Sequence, residues 1–560
     1  MDKIRKSAML LLAMMMCWTL AACSGNAGTS SNGSTANSNA NLTEADASQT
    51  KPSPDEPVWK LDTSPITFDW YVNFDWFTSK WGGDVVSDYI RSKTGVSINF
   101  IAPTGNASDR LSTMMATGQL PDFITLGTYE DNVQKMIKGD MVLPLNKLAD
   151  QYDPYFFKVA DPTKLSWYTQ ADGNVYGYPN ASSSPADYQK YGQTMTSNQV
   201  FVVRKDMYEA LGKPNMSTPE GFLAALKAAK EKFPEVDGQP LIPIGLHDFV
   251  EAGKGNYSLD DYLQNLLAIP QQKNGKLYDR RSDPTYLKWL KMFRQANEDG
   301  LMPTDVFIDK RPQMSEKIKQ GCYFAMLYQS SDFAEANQAL YQKDPNKVYI
   351  AIDGPADDTH DTPTLEGSRV SGWTLTLISK NVRDKKRAIA FLSYLISEEG
   401  NKDLCLGEKG VTYDTIDDKD QFLPEVMHLL NTDRKAFDSK YGGSYKYWML
   451  MDTNMWLKWK PADIEPAKQL ADWTRGKTIS MSEFDDLDPD PTTKEGIAKA
   501  KNDQLWSQTL PKLLTSKSDA EFDQLFAEYM NSLTDREAIE ASRQAAYERN
   551  VQKLKLPVNQ

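Results

Sequence analysis

Between residues 66 and 126 the chain alternates strand and helix patterns, and that alternation leaves few architectures open. In Ile66-Thr67-Phe68-Asp69-Trp70-Tyr71-Val72 the residues at 66, 68, 70 and 72 are apolar and share one face of a strand. From Asp84 the spacing of Val85, Val86, Tyr89 and Ile90 marks a helix, with Gly95 placed to end it. Val96, Ile98 and Phe100 alternate as a second strand. Ser108 is then expected to cap a helix through Leu111, Met114 and Met115 that stops at Gly118, and Asp122 to Leu126 form a third strand. Strands separated by helices of this length cannot pair as hairpins, so they predict a mainly parallel α/β sheet covered on both faces. The same quality returns at 203–234, with Thr218 as N-cap, Pro219 at the first helical position, and Phe222, Leu226 and Phe233 on one face.

In open α/β sheets ligands bind beyond the carboxyl ends of the strands. The loop after the first strand, Asn73 to Gly83, holds Phe74, Asp75, Trp76, Phe77, Lys80 and Trp81. Rings in a loop either fold down onto the core or are offered to a ligand.

The start of the chain sets its compartment. Lys3, Arg5 and Lys6 precede an apolar run from Ala8 to Leu20, then Ala21-Ala22-Cys23. That order is a charged, then apolar, then small-residue leader, too short for a membrane span of about 20 residues. Cys23 stands where the lipobox of bacterial lipoproteins has its modified cysteine. The resemblance implies that residues 1–22 are a signal peptide and that Cys23 is acylated, anchoring the chain to the bilayer at the extracytoplasmic face of the cell membrane. The alternative is an ordinary signal peptide with a cysteine at its cleavage site. Ser24 to Asn41 are all Ser, Gly, Asn, Ala or Thr, so 23–57 reads as a flexible tether before a body that begins near Trp59.

The rest of the chain carries no second long apolar run. Its charge is −13 overall, which argues against nucleic acid or anionic lipid as partners. The two cysteines beyond the leader and anchor, Cys322 and Cys405, sit in apolar settings and read as separate core thiols before they read as a disulfide. There is no GxSxG, HExxH or GxxxxGK[ST] motif, and His247, His360 and His428 are widely spaced. A histidine metal site or a Ser-His triad is therefore poorly supported. A glycosidase needs only two carboxylates, and 76 acidic residues leave that class open.

Several segments in order are similar to the family 1 extracellular solute-binding lipoproteins that feed ABC importers, in their long Gram-positive, oligosaccharide-type branch. They are Tyr89 to Val96, Leu111 to Asp122 (LSTMMATGQLPD), Val142 to Asn146, Asp172 to Gly177, Val203 to Asp206, Gly372-Trp373 with Ile378-Ser379, and Ala390 to Gly400. The resemblance covers about residues 60–545. It implies a two-lobe periplasmic-binding-protein fold of type II, with a hinge and a ligand cleft between lobes. On this numbering the first lobe is 58–202 with 370–415, the second 203–350 with 416–550, and 351–369 crosses between them. Cys322 and Cys405 then fall in different lobes. Relatives that bind polyanionic sugars carry an Asp/Asn-rich calcium loop where this chain reads Pro234 to Pro240. Too few oxygen ligands stand there, so no structural metal is expected.

A pyranose offers an apolar C–H face and a rim of hydroxyls, which aromatic rings and Asp, Asn, Gln or Arg can meet. The candidates on loops the resemblance puts at the cleft are Asp75, Trp76, Trp81, Asp122, Asn180, Tyr328, Gln329, Trp373, Tyr413 and Trp448. Each has a structural alternative. Trp448, Trp456 and Trp459 stand near helical spacing with core residues, Trp373 alternates with Leu375 and Leu377, and Asp122 can brace a turn. The expected function is capture of an oligosaccharide by a monomer that docks on an ABC permease, with no catalysis and no cofactor. The other classes are a secreted carbohydrate-active hydrolase and a surface sensor for another polar solute such as a peptide.

Overall fold

A computed structural model of the chain describes residues 53–249 and 255–554. Cys23, the leader and the tether up to residue 52 lie outside them. The expected elements form, with small shifts. Strand β1 is Ile66–Val72, β2 Val96–Ile101 and β3 Phe123–Gly127. The helix Val85–Thr94 between the first two is capped by Asp84, whose carboxylate accepts from Ser87 N–H. Gly95 ends it at φ 69°, where a Cβ would lie 2.2 Å from the Thr63 carbonyl oxygen, so only glycine fits. The next helix, Ala107–Thr117, starts earlier than the expected Ser108 cap. Asn106 caps it, accepting from the N–H groups of Ser108 and Asp109. Thr218 and Pro219 open the helix Pro219–Lys232 in the expected roles.

The remaining main strands are β4 (Gly177–Asn180), β5 (Gln199–Arg204), β6 (Ile242–Gly245), β7 (Tyr323–Gln329), β8 (Tyr349–Ala351) and β9 (Thr374–Ile378). They make two sheets, ordered β2-β1-β3-β9-β4 and β8-β5-β7-β6. Each is nearly unidirectional with a single reversed strand. In the first, β9 runs antiparallel to β3 and β4; in the second, β5 runs antiparallel to β7 and β8. Both reversed strands are the ones on which the chain arrives from the other lobe. An arriving strand starts at the hinge and runs away from it, so the forward strands deliver their carboxyl ends toward the hinge. This register fixes where a ligand site belongs.

The first sheet is covered on both faces. Phe68, Trp70 and Val72 join one core with the helix Lys385–Ile396, while Tyr71 on the opposite side joins Ile124, Leu126, Leu375 and Leu377. Trp70 is fully buried and donates its indole N–H to Thr125 Oγ1 at 2.8 Å. Burying such a ring stabilises by about 2–3 kcal/mol against leaving it exposed. The second lobe gathers Phe201, Phe222, Trp289, Phe324 and Trp506 in one core.

Among the described residues the chain passes between lobes at 181–198, 367–372 and 460–466; of the crossover expected at 351–369, Ala351 and Leu365 pack in the second-lobe core. The boundary expected at 202/203 falls inside β5, whose residues pair with the second sheet from Gln199 onward. The segment 416–550 does not stay together either. Tyr445, Trp448, Met449 and Leu450 pack into the core of β1, and Val426, Phe437 and Trp459 pack with Cys405 and Val85. Residues 424–459 thus belong to the first lobe, and the second lobe resumes with Leu470 and Trp473. Cys322 and Cys405 are free, buried and in different cores. The segment 234–240 is a tight hairpin turning at Asp237-Gly238, both at positive φ. Among the described residues, no helix is long and apolar enough to cross a membrane and no group of acidic, His or Cys side chains could hold a metal ion.

Candidate functional site

At the hinge-facing end of the first sheet, β1 runs out into Asn73 and Phe74, and the chain re-enters through Gly372 and Trp373 into β9. Gly372 sits at φ 68°, and a Cβ there would lie 2.2 Å from the Asn180 carbonyl oxygen. The missing side chain lets the re-entering strand lie close against β4 and aims Trp373 at the same end. Four rings meet here. The planes of Trp76 and Trp373 are within 9° of parallel, with centroids 6.1 Å apart. Trp448 lies 5.6 Å from Trp76 and 5.4 Å from Trp373, and Phe74 is 5.2 Å from all three. Trp448 is 4% exposed, Phe74 is buried and Trp373 half-buried, yet Trp76 is 52% exposed. An indole of that area left in water and clamped on a rigid base is an aromatic platform.

Polar groups frame it. Tyr71 donates to Asn73 Oδ1 at 2.9 Å, and Asn73 donates to Glu130 Oε2 at 2.6 Å. Glu130 also accepts from Gly127 N–H at 2.8 Å, and burial raises its carboxyl above the usual range. Asn180, at the end of β4, donates to the Tyr447 carbonyl at 2.5 Å, and its buried Oδ1 has no hydrogen-bond partner among the described residues. It borders a polar cavity of about 280 Å³ that Lys164, Asp187 and Asp452 also line.

The second lobe offers a different surface at its hinge-facing end. His247 follows β6, and Tyr328-Gln329 close β7. The His247 ring lies 4.3 Å from Tyr328, 5.2 Å from Tyr262 and 5.9 Å from the exposed Tyr257. Ser258 Oγ donates to the Leu327 carbonyl at 2.5 Å and lies 2.8 Å from His247 Nδ1. The single hydroxyl proton is committed to the carbonyl, so Nδ1 carries a proton and donates to Ser258. Burial pushes the imidazole down to about 3. A neutral ring with Nδ1–H keeps Nε2 as an acceptor. Burial likewise raises the Tyr328 hydroxyl, so it stays protonated. Gln329 accepts from Tyr262 at 3.4 Å.

Of the residues singled out in the sequence, Trp76, Trp373 and Trp448 come together, with Asp75 exposed beside them and Asn180 linked through Tyr447. Tyr328 and Gln329 sit on the facing lobe. Trp81 stands apart, edge-on to Tyr445 at 5.2 Å. Asp122 is at the wrong end of its strand: it accepts from Asp69 N–H and from the Arg383 backbone and guanidinium, a brace at the amino end of β3. Tyr413 is buried in the small core of Cys405, Phe422 and Trp459. The sequence reading named Phe74 and Tyr447 only among the rings of their segments, gave His247 no ligand role and missed Glu130. The signal available for His247 was its place just after a strand, and a lone histidine gave no pattern to weigh.

The model of a family described as bacterial extracellular solute-binding protein matches residues 86–412, more than half of the chain. The lipoprotein LipO of Bacillus subtilis is 24% identical over 318 residues, covering 55% of this chain and 59% of that protein. A polygalacturonan/rhamnogalacturonan-binding protein of the same organism, YtcQ, is 21% identical over 332 residues, 59% of this chain and 63% of its own length. The matches thus span about three-fifths of these curated relatives. Among solved structures, the Streptococcus pneumoniae ABC-transporter substrate-binding protein FusA in complex with kestose superposes with a TM-score of 0.60 at 16% identity. It covers 87% of this chain and all of its own. A solute-binding protein of Bifidobacterium longum subsp. infantis gives 0.59 at 18%, over 87% and 98%. These likenesses establish the two-lobe type II fold that the sheet registers describe, and with the match at 86–412 they place the chain in the bacterial extracellular solute-binding protein family.

Proposed function

We propose that the protein captures an oligosaccharide between its lobes and delivers it to a membrane permease. The observation that carries this reading is Trp76, a half-exposed indole held on Trp373, Trp448 and Phe74 where the forward strands end. A flat, rigid ring suits the C–H face of a pyranose. Asn180 Oδ1, His247 Nε2 and Gln329 supply acceptors and donors suited to hydroxyls. The relatives named for a pectic polymer and for kestose support a sugar over other solutes. Ligand held by both lobes favours the closed form because only that form touches it from two sides, a population shift with no covalent step. Acylation of Cys23 would keep the protein at the outer membrane face beside an ABC permease, and Cys23→Ser is expected to release it into the medium.

The test is thermal unfolding and calorimetric titration of the purified protein against galacturonan, fructan, alginate and N-glycan fragments. One sugar class should raise the midpoint in proportion to ln(1 + [L]/Kd) and be recovered intact. A sugar consumed during the titration would instead make the protein a hydrolase. Silence on every sugar together with a response to peptides would overturn the sugar reading.

A further inference from the structure

A second pocket opens on the first lobe beside the passage 460–466 and Tyr447, and none of Phe74, Trp76, Trp373 or Trp448 lines it. It encloses about 450 Å³ among Met427, Leu430, Phe437, Trp456 and Ile464, a size and apolar lining typical of small-molecule sites. One feature does not fit an inert gap in packing. The Lys446 side chain, 9% exposed, lines it. Its ammonium has one hydrogen bond, 2.8 Å to the Tyr441 carbonyl, and lies 5.7 Å from the Phe437 ring. No carboxylate among the described residues stands within ion-pair distance of it. The other cations of the lining are matched: Arg434 pairs with Asp438 at 2.7 Å and Lys460 with Asp463 at 2.6 Å.

The nearby anions are committed elsewhere. Asp84 accepts from Ser87 N–H, Ser87 Oγ and the Tyr445 hydroxyl. Burial pushes the Cys405 thiol up to about 12, so it remains neutral and offers no counter-charge. A buried ammonium without a partner is disfavoured, because loss of water penalises its charged form. Burial accordingly draws Lys446 down to about 8, which still leaves it mainly charged at neutral pH. Apolar walls with one unmatched cation are complementary to one chemistry, an apolar body carrying a single anionic head.

We infer that this pocket is a binding site for an amphipathic monocarboxylate, an alkyl or aryl acid whose body fills the Met427–Trp456 cavity and whose carboxylate pairs with Lys446. The site does not rest on the sugar reading: Tyr447 borders both places, but Trp76, Trp373, Trp448 and Phe74 do not line this pocket.

The experiment uses the purified protein with decanoate, decanol and decylamine as probes, followed by calorimetry and by the fluorescence of Trp456. Decanoate should bind at least about tenfold more tightly than decanol, the scale of one charge-assisted hydrogen bond, and decylamine should be the weakest. Lys446→Met should abolish the preference for decanoate over decanol, and Leu430→Trp should fill the cavity and remove binding of both. Equal binding of decanoate and decanol, no binding of decanoate at millimolar concentration, or an unchanged preference in Lys446→Met would each overturn the assignment. Should Lys446→Met fail to fold, the ranking of the three probes on the unaltered protein still decides it.

Discussion

The two lobes meet the cleft with opposite kinds of surface. The first offers indoles stacked on indoles inside a polar frame of Asn73, Glu130 and Asn180: Trp76 lies on Trp373 and Trp448, and its outer face is in water. The second offers buried rings tied into hydrogen bonds, with His247 held by Ser258, Ser258 by Leu327, and Tyr262 reaching Gln329. A hydrophobic platform tolerates many sugars, because every pyranose has a C–H face. A tied polar cluster discriminates, because a hydroxyl in the wrong place leaves a buried donor or acceptor unpaired. Under the proposed function this difference divides the labour, the first lobe capturing and the second selecting.

Substitutions can break that comparison. The largest expected effect is on stability: Trp448→Ala removes a buried ring under the platform and should cost about 3–5 kcal/mol, read as a lower urea midpoint. Trp76→Ala should cost less, about 1–2 kcal/mol for the lost ring contacts, but weaken ligand binding at least about tenfold. Equal affinity in that variant would remove the first lobe from capture. His247 tests the second lobe through pH. Its folded-state value is near 3, whereas an unfolded histidine titrates at about 6.5. Below about pH 6.5 the unfolded chain therefore binds the extra proton, and this contribution to stability is lost as pH falls toward 3. His247→Gln should flatten that part of the midpoint-against-pH curve and, if the second lobe selects, change the ranking of sugars more than the affinity for the best one. The smallest effect is expected for Tyr413→Phe, which keeps the buried ring and should leave ligand affinity unchanged within about twofold, since Tyr413 lies in neither surface.

What the sequence made legible follows from local rules. The alternation at 66–72, the Asp84 cap and Gly95, and the Thr218-Pro219 start each depend on neighbours in the chain, and each formed. Trp76 was singled out because its loop after a strand is unusually aromatic, and Trp373 and Trp448 because the resemblance put their segments at the cleft; the structure brings the three rings together. Which lobe the helices at 424–456 join was not legible. An amphipathic helix shows the same apolar stripe whichever core receives it, and only the contacts of Tyr445 and Trp448 with the core of β1 settle the matter. Asp122 failed for a geometric reason. It precedes its strand, so strand direction alone puts it at the end away from the hinge. Trp81 is a loop ring whose partner, Tyr445, comes from a segment that local pattern does not connect to it, and Tyr413 faces Phe422 across a short hairpin whose place in the small core of Cys405 and Trp459 local pattern does not show.

The three passages between lobes, at 181–198, 367–372 and 460–466, carry a mechanical consequence. A single tether would act as a ball joint and let one half twist and slide as well as bend. Several tethers between the same two halves restrict twist and slide and favour bending. Under the proposed function, a joint that favours bending would let a partner read from outside, by the angle between the halves, whether the cleft is filled.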